Sequence, residues 1–228
     1  MPNAHITGPP VTRPLRSDAA ANRERLLDAA AIAIRRGGEK VPMATIAEAA
    51  HVGIGTLYRH YPTRADLLAA LALRSYRLVL DHARAAVESR EPPATALTQF
   101  FDQTIAARDD LILPLHGGPV SLDADAVALR AEISDQLEKI LARGRGDHSI
   151  RADITAIDII IAGAMLAQPL PHAADWDRLA RRQARVYVAG LAPGDAAPLP
   201  GPRPTRAQLE AGFARSAPPA RALPPIQR

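Results

Sequence analysis

Residues 51–68 read HVGIGTLYRHYPTRADLL. Two of the chain's four tyrosines stand here, beside two arginines and two histidines, in a protein only 4% aromatic. Gly53-Ile54-Gly55 opens a short helix predicted over Ile54–Tyr61, and Pro62 stops it. Thr63-Arg64-Ala65-Asp66 has the form of a capped start for a long helix, with Leu67, Leu68, Leu71, Ser75 and Leu78 along one side. Leu57 is the one large aliphatic side chain well inside the short helix, so it marks the inward face.

Upstream, Leu26, Leu27, Ala30, Ala31 and Ile34 recur at helical spacing, with Ser17 or Asp18 placed to cap the start. Gly37-Gly38 ends this first helix. Pro42 suits the first turn of a second, short helix that carries Ile46, Ala47 and Ala50 inward. Two short helices separated by a tight turn, with a longer helix on either side, form the layout of a helix-turn-helix unit.

The third helix then works as a probe. With Leu57 inward beside Ile46 and Ala50, Gly55, Thr56, Tyr58, Arg59 and His60 occupy the other faces. Glycines at 53 and 55 remove side-chain bulk, so the helix start can approach a surface closely, and its N–H groups and partial positive charge suit a phosphate. Tyr58 and His60 can donate to phosphates, Thr56 can reach a phosphate or a thymine methyl, and Arg59 can serve a base edge or the backbone. Arg64, at the start of the fourth helix, offers a second phosphate clamp. Tyrosine and arginine at this spacing also make an ordinary solvated face; the whole order of glycines, helix, proline and capped helix favours the nucleic-acid reading.

The rest of the chain reads as helix too. Pro92-Pro93 breaks it, and Ala94–Ala107 carries Leu97, Phe100, Phe101 and Ile105 inward. LPLHGGP at 113–119 is a loop, Asp123–Arg143 a long helix and GRGD at 144–147 a turn. Asp153 is the expected cap of an apolar helix through Ala167, ended by Pro169 and Pro171. Ala174–Leu191 is the last long helix. No alternating strand pattern and no internal repeat is present, and alanine and leucine dominate the apolar residues, which favours helices over sheets. The fold class is therefore all-α. The expected organisation is a flexible basic arm at 1–16, a helix-turn-helix domain at 17–75 with its motif at about 44–63, a helical domain at 76–192, and a tail at 193–228. That tail has nine prolines in its thirty-six residues, so it is expected to be largely disordered, with room for a brief helix around Arg206–Ala214.

Charge follows the same division. Residues 1–75 hold 10 basic against 6 acidic side chains, residues 76–192 hold 13 against 16, and residues 193–228 hold 5 against 2. Both ends are basic and the middle is mildly acidic, an asymmetry that fits one end meeting a polyanion. The absence of cysteine excludes disulfides, cysteine-ligated zinc and thiol nucleophiles. The first sixteen residues lack the apolar core of a secretory signal, and the longest apolar run, 157–167, is too short to span a bilayer. A soluble, cytoplasmic protein is expected. No G-x-S-x-G, H-E-x-x-H or phosphate-binding glycine motif is present, Asp147-His148-Ser149 are neighbours that cannot converge on one atom, and the histidines lack metal-ligand spacing. No enzyme, metal or cofactor is expected; a catalytic all-α protein and a sequence-independent architectural DNA binder are the alternatives weighed.

Residues 23–71, RERLLDAAAIAIRRGGEKVPMATIAEAAHVGIGTLYRHYPTRADLLAAL, resemble the N-terminal DNA-binding domain of the TetR (tetracycline-repressor) family of bacterial transcription regulators, without a gap. The resemblance implies a recognition helix at Ile54–Tyr61. It places DNA-facing positions at Thr45, Ile54, Gly55, Thr56, Tyr58, Arg59 and His60, and a phosphate-binding cation at Arg64, where the family usually has lysine. Arg13, Arg16, Arg23 and Arg25 would add phosphate attraction. Two departures stand out: His51 replaces a turn glycine, and Gly53 replaces a frequent serine or threonine cap. The resemblance further implies that 76–192 binds a small effector and dimerises, through helices 153–167 and 174–191. Candidate effector contacts are Tyr76, Phe100, Phe101, Thr104, His116, Met165 and Trp176, with Leu80 and Leu113. The implied function is a homodimeric regulator on a pseudo-palindromic double-stranded operator, in most cases a repressor released by its effector.

Overall fold

The computed structural model describes residues 14–38, 40–116, 118, 120–194 and 198–216. Among them every regular element is helical, as expected for the all-α class. Most of the expected arm, the end of the tail and Arg13 lie outside the described residues, and of 14–21 and His116 only the backbone is described. The α-helices are α1 (Pro14–Gly37), α2 (Met43–Ala49), α3 (Ile54–His60), α4 (Arg64–Glu88), α5 (Pro93–Ala106), α6 (Ala124–Gly146), α7 (Ala156–Leu166), α8 (Trp176–Ala189) and α9 (Arg206–Ser216). Short 3-10 turns at Arg108–Asp110 and Pro114–His116 fill the stretch between α5 and α6. The chain divides into two compact units between Arg64 and Ala65.

In the first unit, α2 packs on α1 and α3 packs on α2. The apolar stripe of α1 does what its spacing dictates: Leu26, Leu27, Ala30, Ala31 and Ile34 are all buried. Gly38 ends α1 in the left-handed region, φ 75°, where its N–H donates to the Ile34 carbonyl at 2.7 Å. Ile46, Ala47, Ala50 and Leu57 close the core between α2 and α3. Tyr61 is buried as well, its hydroxyl accepting from Arg23 Nε at 3.3 Å.

In the second unit α5 is the central helix, packed on α6, α7 and α8. Phe100, Phe101, Leu97 and Ile105 are fully enclosed there, and Phe101 meets Tyr187 of α8 edge-on, 5.8 Å between ring centres. Ser75 pins α4 to the loop after α5: its hydroxyl donates to the Asp110 carbonyl at 3.2 Å and accepts from the Ile112 N–H at 2.9 Å.

Helix α1 begins at Pro14, so Ser17 and Asp18, expected to cap it, lie within the helix instead. Two more expectations change. Asp153 does not cap α7, because Arg151 takes its carboxylate in a two-pronged pair at 2.6 and 2.8 Å. Thr155 caps instead: its side chain accepts from the Asp158 N–H, and the Asp158 carboxylate accepts from the Thr155 N–H at 2.8 Å, a reciprocal capping box. In the tail, α9 is two residues longer than the brief helix expected, and it is packed rather than free, with Phe213 buried.

Candidate DNA-reading face and ligand cleft

The reading face is built on the turn between α2 and α3. His51 takes φ 55°, the left-handed conformation the turn demands and glycine adopts at least cost. The Val52 N–H reaches back to the Ala47 carbonyl at 3.0 Å, fixing the angle between the two helices. With Leu57 fully buried, the opposite side of α3 is left outside. Ile54 is 42% and Tyr58 47% exposed, large apolar surface on a seven-residue helix. Thr45, Gly55 and Arg59 are exposed, Thr56 and His60 half-buried. Arg59 folds along its own helix, donating to the Gly55 carbonyl and the Thr56 hydroxyl, each at 3.3 Å.

Among the described residues, none crowds position 53 or 55. Both have negative φ, and a methyl group added at either would meet no described atom within 4 Å. Arg64 is half-buried and donates to the Val41 carbonyl.

The second unit holds a separate apolar cleft. Its walls come from α4 (Tyr76, Val79), α5 (Phe100, Thr104), the following loop (Leu111, Leu113, Pro114, Leu115), α6 (Arg130, Ile133, Ser134), α7 (Ile157, Ile160, Gly163, Ala164) and α9 (Arg206, Leu209, Glu210, Phe213). Of the positions singled out in the sequence, Tyr76, Phe100, Thr104 and Leu113 line it. Phe101 lies in the core against Tyr187 instead, and the Trp176 indole donates to the Leu166 carbonyl at 2.9 Å. Met165 is 70% exposed on α7, and the His116 side chain lies outside the description.

The cleft's strongest polar feature was not singled out in the sequence. Arg130 is only 7% exposed, yet every nitrogen of its guanidinium is engaged. Its Nε and Nη2 donate to the two Glu210 oxygens at 2.7 and 2.6 Å, and Nη1 donates to the Ser121 carbonyl at 2.9 Å and the Tyr76 hydroxyl at 3.4 Å. The Tyr76 and Phe213 rings each lie 5.3 Å from the guanidinium carbon. Burial raises the Tyr76 pKa, opposed by the hydrogen bond from Arg130. Burial works against the Arg130 charge, but the hydrogen bonds it donates to Glu210 and Tyr76 outweigh it and raise its pKa, so it stays cationic. Nothing in the local sequence marks Arg130, because its partner stands 80 residues away.

A two-helix turn unit presenting an apolar and cationic face, joined in one chain to an all-helical unit with its own cleft, defines a helix-turn-helix DNA-binding regulator. The comparisons agree. Residues 26–71 match the bacterial regulatory proteins of the tetR family, and residues 92–193 match the C-terminal domain of SbtR-like transcriptional regulators. A TetR transcription regulatory protein from Mycobacterium vanbaalenii, solved by crystallography, is 32% identical over 78% of this chain and 99% of its own, with a TM-score of 0.56. The HTH-type transcriptional repressor KstR of Rhodococcus jostii is 28% identical over 73% of this chain and 77% of its own. AibR, solved in complex with isovaleryl coenzyme A and operator DNA, shares the fold at 19% identity over 75% of this chain and 97% of its own, TM-score 0.60. The chain belongs to the TetR family and is a DNA-binding transcription regulator.

Among the described residues no cluster of His, Asp or Glu is placed to hold a metal ion. No described helix is long and apolar enough to cross a membrane.

Proposed function

We propose that this regulator is a cytoplasmic, homodimeric repressor that binds a pseudo-palindromic operator and leaves it when a small molecule enters the cleft. The observation that carries the DNA contact is the outward face of α3: exposed Ile54 and Tyr58 beside two glycines that no described neighbour crowds. Thr45, Ile54, Gly55, Thr56, Tyr58, Arg59 and His60 contact the major groove and its phosphates, and Arg64 binds a phosphate. Repression is supported by the similarity to KstR, and release by an effector by the apolar cleft that Tyr76, Phe100 and Thr104 line. AibR, seen with both a coenzyme A thioester and its operator, is a protein of this fold that holds both partners.

Dimerisation is supported by the outer faces of α7 and α8. Ile161 and Met165 stand one turn apart on α7, and Val186 is 60% exposed on α8. Such a stripe matches helices that pair across a dyad, and two readers are needed because one short helix contacts few base pairs. Helix α4 begins at Arg64 and carries Tyr76 and Val79 of the cleft wall. A ligand that favours one arrangement of that wall acts on the helix leading from the reader, and substantial release requires several kcal/mol of difference in its affinity for the two states.

On a fragment that the protein selects from genomic DNA, Tyr58→Ala should weaken binding roughly tenfold, as expected for loss of a hydrogen bond to a charged group. Arg64→Ala should lower the slope of log affinity against log salt by about one. The slope is the readout for Arg64, since losing the bond to Val41 also disturbs the fold. Unchanged affinity in the first variant and an unchanged slope in the second would remove α3 and Arg64 from the DNA contact.

A further inference from the structure

Helix α9 lies beyond residue 193, where the match to the SbtR-like C-terminal domain ends, yet it supplies four side chains to the cleft. It does so with one acidic group, Glu210, whose two oxygens fill the fork of the buried Arg130. Phe213 covers the same guanidinium and is buried. The helix thus behaves as a bound ligand would: a carboxylate on the cation and an aromatic body on the apolar wall. With it in place the free space is about 70 Å³, well below the roughly 300–1,000 Å³ of pockets that hold drug-sized ligands. An effector of that size needs the cleft to widen, and α9 is the wall that lies beyond the matched domain.

Any molecule that displaces Glu210 must deal with Arg130. The guanidinium cannot lose its proton, and the cleft around it is apolar, so a neutral replacement leaves a buried charge without a counter-ion. A planar carboxylate restores both hydrogen bonds at once. We propose that the cleft takes an apolar monocarboxylate whose head group replaces Glu210 on Arg130, and that α9 is a tethered competitor for that site. Glu210 is the weaker half of the pair to hold: its side chain is 25% exposed, against 7% for Arg130. It sits on α9 at the end of the described chain, whereas Arg130 stands within the long helix α6, so Glu210 is the member that can be displaced. Tethering sets a threshold: the free carboxylate must outcompete an acid held close by, so the site answers to concentration rather than to traces.

The inference rests on the cleft being the effector site, and the probes are chosen to separate the two claims. The full chain and its Glu210→Gln variant are titrated calorimetrically with sodium octanoate and sodium decanoate, and with octanol and decanol. Hydrogen exchange at residues 206–216 is followed alongside. Glutamine keeps the size and a hydrogen bond but not the charge, so it competes less well. The expected result is that the carboxylates bind at least tenfold tighter than the alcohols, and that Glu210→Gln tightens the carboxylates about tenfold while leaving the alcohols unchanged. Decanoate, but not decanol, should then speed exchange in α9. Equal binding of acids and alcohols to both proteins would overturn the anion site while keeping the cleft as a ligand site. Weaker carboxylate binding in the variant would overturn the competition. No binding of any probe to either protein would overturn both the inference and the cleft as effector site. Arg130→Met, if it folds, should erase the preference for acids.

Discussion

His51 holds the turn of the reading motif at φ 55°, a conformation in which an L side chain crowds its own backbone. The left-handed region costs a non-glycine residue roughly 1–2 kcal/mol, and glycine returns part of that gain as unfolded-state entropy. His51→Gly should therefore stabilise the first unit by about 0.5–1 kcal/mol, seen as a higher urea midpoint at unchanged slope. A lower midpoint would mean that the imidazole makes a contact worth more than the strain. Tyr187 gives the second residue-scale test. Burial, with the Asp158 charge nearby, pushes its phenol up to about 12 from 10.0. The folded chain binds that proton more tightly than the unfolded chain does. Its contribution is thus fully present below pH 10 and is lost as pH rises from 10 towards about 12. The Tyr76 pKa is also raised by burial, so ultraviolet titration should show a late component that Tyr187→Phe diminishes, together with a smaller loss of stability across that window. A variant with the wild-type titration would assign the late group elsewhere.

At the scale of elements, the end of α6 is held by a close approach that its sequence only half discloses. GRGD reads as a turn, but the structure runs α6 on through Gly146 and folds the chain back over Gly144, whose carbonyl accepts from the N–H groups of Ser149 and Ile150 at 2.8 and 2.9 Å. A methyl group at Gly144 would lie 2.6 Å from the Ile150 side chain. Gly144→Ala should cost about 1–3 kcal/mol by overpacking, measured as a thermal or chemical midpoint, despite alanine's better helix propensity; an unchanged or raised midpoint would show that Ile150 yields freely. What the sequence discloses of the elements follows a simple line. Stops made by neighbouring residues, such as Gly37-Gly38 after α1 and Pro62 after α3, can be read because the residues that decide them lie within a few positions. The cap of α7 is misread because Asp153 has a choice of partners and Arg151 wins it. The packing of α9 and the Arg130–Glu210 pair stay hidden for the stronger version of the same reason: tertiary contact decides them, and proline content argues the other way. Tyr76, Phe100 and Thr104, candidates through the family resemblance, line the cleft, whereas Phe101, next in the chain and named beside them, turns into the core.

For the whole molecule, the proposed function depends on dimerisation, because one short reading helix contacts few base pairs. If α7 and α8 pair with their copies, Val186→Glu or Met165→Glu should place like charges across the dyad at surfaces now exposed in one chain, 60% and 70% respectively. Sedimentation should then find a monomer with the wild-type helix content, and binding to a two-site operator should fall steeply because the second reader is no longer tethered to the first. A dimer that persists in both variants would move the interface elsewhere.

The central claim is that α3 reads sequence as one of a symmetric pair, and nuclease footprinting on fragments selected from genomic DNA, wild type beside Tyr58→Ala, tests it most directly. The account predicts protection over two half-sites related by a dyad, centred one or more helical turns apart, and lost together in the variant. Protection that spreads evenly along unrelated duplexes, or a specific footprint that Tyr58→Ala leaves untouched, would contradict it.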